Sequence, residues 1–218
     1  MGIHSVSRAA IFLDRDGVIV EEVFYPEFGE REAPMRPDDV RLLPGAAVAM
    51  RRLSDLGFFL VLVSNQGAVA KGKVDVGSLW RTHERVADLL AHDGAKFDAE
   101  YYSFSHPDGT VPGFSGPSLD RKPSPYNLLI AAGRYELDLS RSWMIGDRET
   151  DVACGRAAGT KTIRILAAGA NGPASESSAA EFCAQSLSGC LEIVSTISTS
   201  AIPTTARSGE TECCGILH

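Results

Sequence analysis

Five short apolar runs recur along the chain, at Ala9–Leu13, Phe58–Val63, Ala99–Phe104, Ser142–Ile145 and Thr160–Leu166. Most show no alternation of apolar and polar residues, the pattern of strands covered on both faces by helices. Between them lie amphipathic stretches at Gly45–Leu56, Val76–His92, Pro123–Tyr135 and Glu149–Ala158, read as helices. Pro44 ahead of the first and Gly57 at its end fit start and stop signals, and Pro123 is placed at the opening of the third. Strand and helix in alternation predict an α/β fold, an open parallel sheet wound with helices. In such sheets ligands bind beyond the carboxyl ends of the strands, so chemistry is sought just after each run.

Composition narrows the function classes. With 218 residues, 44% hydrophobic and 22% charged, the chain suits one large domain with a self-sufficient core. The net charge of −7 argues against a nucleic-acid partner, which needs clustered Lys and Arg. It leaves room for a small phosphorylated metabolite, which needs only a few placed cations. The five cysteines, Cys154, Cys183, Cys190, Cys213 and Cys214, contain no C-x-x-C pair, so neither a disulfide framework nor a structural zinc site is indicated. No signal peptide or membrane span is read, and the expectation is a cytoplasmic protein, monomer or small homo-oligomer. Residues 1–195 are assigned to the domain and 196–218 to a Ser/Thr-rich tail. Two irregular segments, Val20–Asp39 and Ser105–Arg121, are placed as loops over a site.

Four strand ends carry candidate chemistry. After the first run come Asp14, Arg15, Asp16 and Gly17; strand periodicity places Asp14 and Asp16 on one side and Arg15 on the other. Two carboxylates this close call for a hard divalent cation, most simply Mg²⁺. One of them can then attack phosphorus while the other handles protons. An EF-hand is excluded because Val18 stands where an oxygen ligand is required. After the second run, Ser64, Asn65, Gln66 and Gly67 supply donors for phosphoryl oxygens. Lys122, flanked by Arg121 and Pro123, can neutralise a transferring phosphoryl group and hold an acidic nucleophile. Asp147, after the fourth run, can complete a metal shell, and Asp151 can either ligate directly or orient Lys122. A competing reading is a nucleotide P-loop at Gly67–Val74, a near match to G-x-x-x-x-G-K-[ST] with Val at the last position.

The order of acid pair, hydroxyl, lysine and metal acid resembles the haloacid dehalogenase-like (HAD) phosphatases. Within that superfamily DRDG, SNQG, RKP and GDRETD are similar to the D,D-heptose 1,7-bisphosphate phosphatase group, with histidinol-phosphate phosphatase as a relative and alternative. The resemblance, over about Arg8 to Ala168, implies a Rossmann-like HAD fold without a large cap domain. It implies a Mg²⁺-dependent phosphomonoester hydrolase acting through an aspartyl-phosphate on Asp14, with Asp16 as general acid/base and Ser64 and Lys122 stabilising the phosphoryl group. Mg²⁺ would sit on Asp14, the backbone carbonyl of Asp16, and Asp147. Substrate contacts would come from Arg15, Asn65, Gln66, Gly67, Arg121 and Arg148.

Two departures stand out. Family members commonly carry a zinc loop, C-x-H…C-x-C, ahead of RKP; here the matching positions are Ser103, Ser105, Ser118 and Asp120. Hydroxyls do not replace thiolates and imidazole, so no zinc is expected, and Phe114 and the prolines are expected to hold that loop by packing. Glu21 and Glu22 follow the first motif, and acids near the mouth would disfavour a substrate carrying a second phosphate.

Overall fold

The computed structural model describes residues 7–166 and 178–200. Six parallel strands form one sheet: β1 (Ala10–Leu13), β4 (Phe59–Asn65), β5 (Ala99–Ser103), β6 (Trp143–Gly146), β7 (Lys161–Ile165) and β8 (Phe182–Ala184), in the order β5-β4-β1-β6-β7-β8. A separate antiparallel hairpin, β2 (Val23–Tyr25) and β3 (Glu30–Glu32), follows β1. The helices are α1 (Ala46–Asp55), α2 (Val76–His92), α3 (Tyr126–Tyr135), α4 (Glu149–Ala158) and α5 (Leu187–Ser200).

The period-2 geometry of β1 divides the core in two. Ile11 and Leu13 point to a cluster with Met50 and Leu53 of α1, Val86 and Leu90 of α2, and Leu187, Cys190 and Val194 of α5. Ala10 and Phe12 point to the other face, against Leu128 and Ala131 of α3 and Cys154 and Ala158 of α4. Each fully buried large side chain in these layers contributes about 1.5–3 kcal/mol, so β1, with no exposed residue, is the rigid centre of the sheet. The chain leaves β1 toward β4 on one side and returns as β6 on the other. The switch point therefore lies at the end of β1, beside Asp14.

The predicted α/β architecture is present, with shifted boundaries. β4 runs on through Ser64 and Asn65, which pair with Tyr102 and Ser103. Pro123 does not open α3: Ser124 N–H closes a turn on the Arg121 carbonyl and the helix starts at Tyr126. The assignment of a tail from residue 196 also needs correction, because α5 runs Leu187–Ser200. Its Ser/Thr-rich composition hides an apolar stripe, Leu187, Cys190, Val194 and Ile197, that packs on the core; tertiary burial outweighs weak helix propensity. The remainder of that tail, 201–218, lies outside the described residues. Val20–Asp39 folds into the β2–β3 hairpin rather than staying irregular, and among the described residues no larger cap is inserted after β1. No helix among the described residues is long and apolar enough to cross a membrane.

Candidate active site

Asp14 leaves the end of β1 with its N–H donating to the Ile145 carbonyl of β6 at 3.0 Å. Its carboxylate also accepts from the Arg15 N–H at 2.8 Å. The chain then turns sharply: Gly17 N–H donates to the Val20 carbonyl, and Gly17 has φ of +77°, a left-handed value. A Cβ on Gly17 would lie 2.6 Å from Asp147 Oδ2, so only glycine lets this turn pass against the acid at the end of β6.

The residues at the end of β4 are interlocked with Asp16, the second acid of the first motif. Gln66, 1% exposed, places Nε2 2.7 Å from Asp16 Oδ2 and 2.8 Å from Ser64 Oγ. Because Ser64 Oγ accepts there, its O–H remains to donate elsewhere. Asp16 is buried, and its other oxygen accepts from Arg15 Nε at 3.0 Å. Burial raises the Asp16 pKa and Arg15 opposes it, the net displacement being upward, toward the proton-carrying form a general acid needs.

Lys122 lies under the site, 3% exposed. Its Nζ is 2.9 Å from Asp14 Oδ1 and 2.8 Å from Asp151 Oδ1, and donates to the Val63 carbonyl at 2.7 Å. Burial disfavours the ammonium, but Asp14 and Asp151 outweigh it and hold Lys122 above the usual lysine pKa. Asp151 also caps α4, accepting from the Arg148 N–H at 3.0 Å through Oδ2. One carboxylate oxygen from each of Asp14, Asp147 and Asp151 falls within 4.8 Å of the others. Burial first, then Asp14 and Asp151, push Asp147 up to about 7, and its Oδ1 is buried without a hydrogen-bond partner. An orphaned oxygen among mutually repelling carboxylates fits a hard divalent cation such as Mg²⁺.

The rim is cationic. Arg121 is half-buried and donates from Nη1 to the Ser105 carbonyl at 2.9 Å. Burial and the nearby Arg148 lower its pKa, so two guanidiniums face one region. Arg148 reaches Glu22 at 2.7 Å and Asp147 at 3.8 Å. His106 is held below its usual pKa by burial, Arg121 and Lys71, which favours its uncharged imidazole.

Comparison with known proteins agrees with this layout. Residues 119–190 match the HAD-hydrolase-like family model. The chain is 41% identical over 162 residues to the D-glycero-D-manno-heptose-1,7-bisphosphate 7-phosphatase of Thermosynechococcus vestitus, covering 72% of this chain and 79% of that protein. The chain belongs to the heptose-bisphosphate phosphatase family of HAD-like hydrolases. A second family member, the D-glycero-beta-D-manno-heptose-1,7-bisphosphate 7-phosphatase of Rhodopseudomonas palustris, is 34% identical over 158 residues, with 72% and 83% coverage. The crystal structure of the D,D-heptose 1,7-bisphosphate phosphatase of B. bronchiseptica, complexed with magnesium and phosphate, superposes with a TM-score of 0.72 at 26% identity, covering 87% of this chain and 99% of that one.

Within this family frame, several residues fall elsewhere than expected. Arg15, expected to contact substrate, is deeply buried. It is 1% exposed and runs behind the site, toward the aromatic group of Trp80, His83, Tyr102 and Phe104, because β1 alternation turns it away from Asp14. Gln66 is likewise buried and committed to Asp16 and Ser64, and Asn65 spends both ends of its amide on the Lys122 backbone. Gly67 serves close approach: a Cβ there would lie 2.9 Å from His106. The carboxylate cluster consists of Asp14, Asp147 and Asp151, whereas the Asp16 carboxylate faces Arg15 and Gln66.

Gly67–Val74 is not a P-loop. It closes in turns ahead of Asp75, the N-cap of α2, and Lys73 is ion-paired with Glu30 and Glu32 of the hairpin. The acid Glu22 is neutralised by Arg148 instead of opposing anions at the mouth. At the zinc-loop positions, Ser103 Oγ donates to Asp120 Oδ1 at 2.9 Å and Ser118 Oγ donates to the same oxygen. These oxygens, engaged with one another, are not the nitrogen and sulfur ligand set that zinc takes. Phe114 does pack on Phe104, edge to face at 6.4 Å, but the serine–aspartate clasp adds a polar anchor that the sequence reading missed. A short Ser…Ser-x-Asp pattern, without metal ligands, carries too little signal to announce it.

Proposed function

We propose that this chain hydrolyses one phosphate from a heptose 1,7-bisphosphate through an aspartyl-phosphate on Asp14. The observation that carries the reading is the convergence of Asp14, Asp147 and Asp151 within 4.8 Å of one another, over a buried lysine ion-paired to two of them. Asp14 attacks phosphorus as the bond to the sugar oxygen breaks, and Asp16 gives its proton to that oxygen. Asp16, now a carboxylate, takes a proton from water as the water oxygen bonds to phosphorus and the Asp14–phosphorus bond breaks, returning both residues to their starting forms. Lys122 and the Ser64 O–H offset the charge on the phosphoryl oxygens.

Mg²⁺ would be held by Asp14, Asp147 and the backbone carbonyl of Asp16, with Asp151 in reach, and would neutralise phosphoryl and carboxylate charge. Arg121 supplies a cation at the rim for a second phosphate, with Arg148 beside it bridging Glu22. This favours a bisphosphate over histidinol phosphate, whose other end is cationic.

The test is phosphate release with Mg²⁺ from both anomers of D-glycero-D-manno-heptose 1,7-bisphosphate, beside histidinol phosphate, with Asp14→Asn as control. Preference for a heptose anomer, abolished in the variant, is expected. Turnover of histidinol phosphate in preference, or activity that survives Asp14→Asn, would overturn the reading.

A further inference from the structure

Both polar ends of the Asn65 side chain are spent on a single residue. Oδ1 accepts from the Lys122 N–H at 3.0 Å and Nδ2 donates to the Lys122 carbonyl at 3.0 Å. A flipped amide would set oxygen against oxygen and N–H against N–H, so this orientation alone satisfies both pairs. The pairing copies the double hydrogen bond that two facing strand residues exchange. Here it fastens the last residue of β4 to a segment in neither strand nor helix, where the Arg121–Ser124 turn supplies the next backbone bond. The anchored residue is the one whose ammonium must reach Asp14, Asp151 and the Val63 carbonyl together, at 2.7–2.9 Å. A lysine tip is four bonds of free rotation from its backbone, so its placement at three oxygens depends on where that backbone is held.

We propose that Asn65 is a positioning residue for Lys122: its amide clamps the lysine backbone so that the ammonium bridges Asp14 and Asp151. The proposal rests on the phosphatase reading above, in which Lys122 acts on the phosphoryl group. It assigns Asn65 away from substrate. Ser64 and Gln66, its neighbours on either side, form the site-facing chain to Asp16, and Asn65 turns to Lys122 as strand alternation requires.

A double-mutant cycle with two readouts tests this. Phosphate release from an aryl phosphate at saturating Mg²⁺ is measured for Asn65→Ala, Asn65→Asp, Lys122→Ala and Asn65→Ala/Lys122→Ala. Amide hydrogen exchange at Lys122 is followed in the wild type, Asn65→Ala and Asn65→Asp. Asn65→Ala is expected to lower kcat by about 10- to 100-fold, as displacement of a catalytic group by up to 1 Å does, with KM nearly unchanged. In the Lys122→Ala background it is expected to cost nothing further. Asn65→Asp keeps one bond, loses the other, and is expected to fall in between; it also serves should the alanine variant fail to fold. Lys122 N–H exchange is expected to speed up in Asn65→Ala.

Equal fold-losses in both backgrounds, or a raised KM with kcat intact, would overturn the proposal in favour of a direct substrate contact. Unchanged Lys122 exchange would overturn it whatever the activity shows. Absence of turnover by the wild type would instead strike the phosphatase reading, while the exchange measurement still decides the clamp.

Discussion

Replacing Gly17 by alanine separates two costs that the structure keeps apart. The first is conformational: a φ of +77° in a non-glycine residue costs about 1–2 kcal/mol, which for a domain of this size lowers Tm by roughly 2–8 °C. The second is steric: the new Cβ would stand 2.6 Å from Asp147 Oδ2 and 2.8 Å from its Cγ. Ordinary contact needs about 3.5 Å or more, so Asp147 must retreat by roughly 1 Å. A shift of that size in a catalytic constellation costs about 100-fold, equivalent to about 2.7 kcal/mol of barrier. Gly57→Ala is the control, since Gly57 has φ of +90° and nothing within 4 Å of its virtual Cβ. Steady-state phosphate release at saturating Mg²⁺ and thermal melts of both variants make the assay. Both proteins are expected to lose Tm, Gly17→Ala the more because of the added clash, and Gly17→Ala alone to lose activity. Wild-type activity in Gly17→Ala, or an equal loss in Gly57→Ala, would refute the argument that Gly17 is there to let Asp147 approach.

Other consequences are equally direct. Without a cation, Asp147 titrates at about 7 in the folded protein against an ordinary 3.8, so the folded form holds an extra proton between those values and this group's contribution to stability falls as pH rises through them. Metal-free protein is expected to gain more Tm from Mg²⁺ at pH 8 than at pH 6, as differential scanning would show. Asp120→Ala leaves the fully buried Ser103 hydroxyl without its acceptor and should cost about 1–3 kcal/mol in urea unfolding, by loosening the loop beside Arg121. Burial pushes the Cys154 and Cys190 thiols up to about 12, so at pH 8 they should resist alkylation in the native protein while exposed Cys183 reacts, as peptide mass mapping will read.

The strand–helix alternation and the four chemical positions were legible because each is a local signal. An apolar run of fixed length followed by Asp14, Ser64 or Asp147 announces both a strand and the end where a ligand binds. Lys122 was legible from the RKP step, although Pro123 misled the helix boundary: the turn at Arg121–Ser124 is held by Asn65, 57 residues away. Elements whose stability is tertiary were the ones missed. The three-residue strand β8 exists only by pairing with β7, and α5 only by burying Leu187, Cys190 and Val194 against the sheet and α1. The segment Gly67–Val74 showed the opposite failure. It looked like a phosphate loop by spacing, but Lys73 belongs to Glu30 and Glu32 of the hairpin.

By itself, then, the sequence determined the sheet's chemistry: which residue types stand at which strand ends, and hence an acid pair, a hydroxyl, a lysine and a third acid gathered at one edge of the sheet. Only the tertiary structure decided which polar groups face the substrate and which hold the others in place. Arg15, Asn65 and Gln66 look like ligand-binding residues in one dimension. In three, each bonds a residue of the proposed site: Arg15 Nε and Gln66 Nε2 reach Asp16, and Asn65 holds Lys122, while Arg15 Nη1 and Nη2 and Gln66 Oε1 stay buried without a partner. Those partners lie as far as 57 residues along the chain, a distance over which local sequence pattern carries no information.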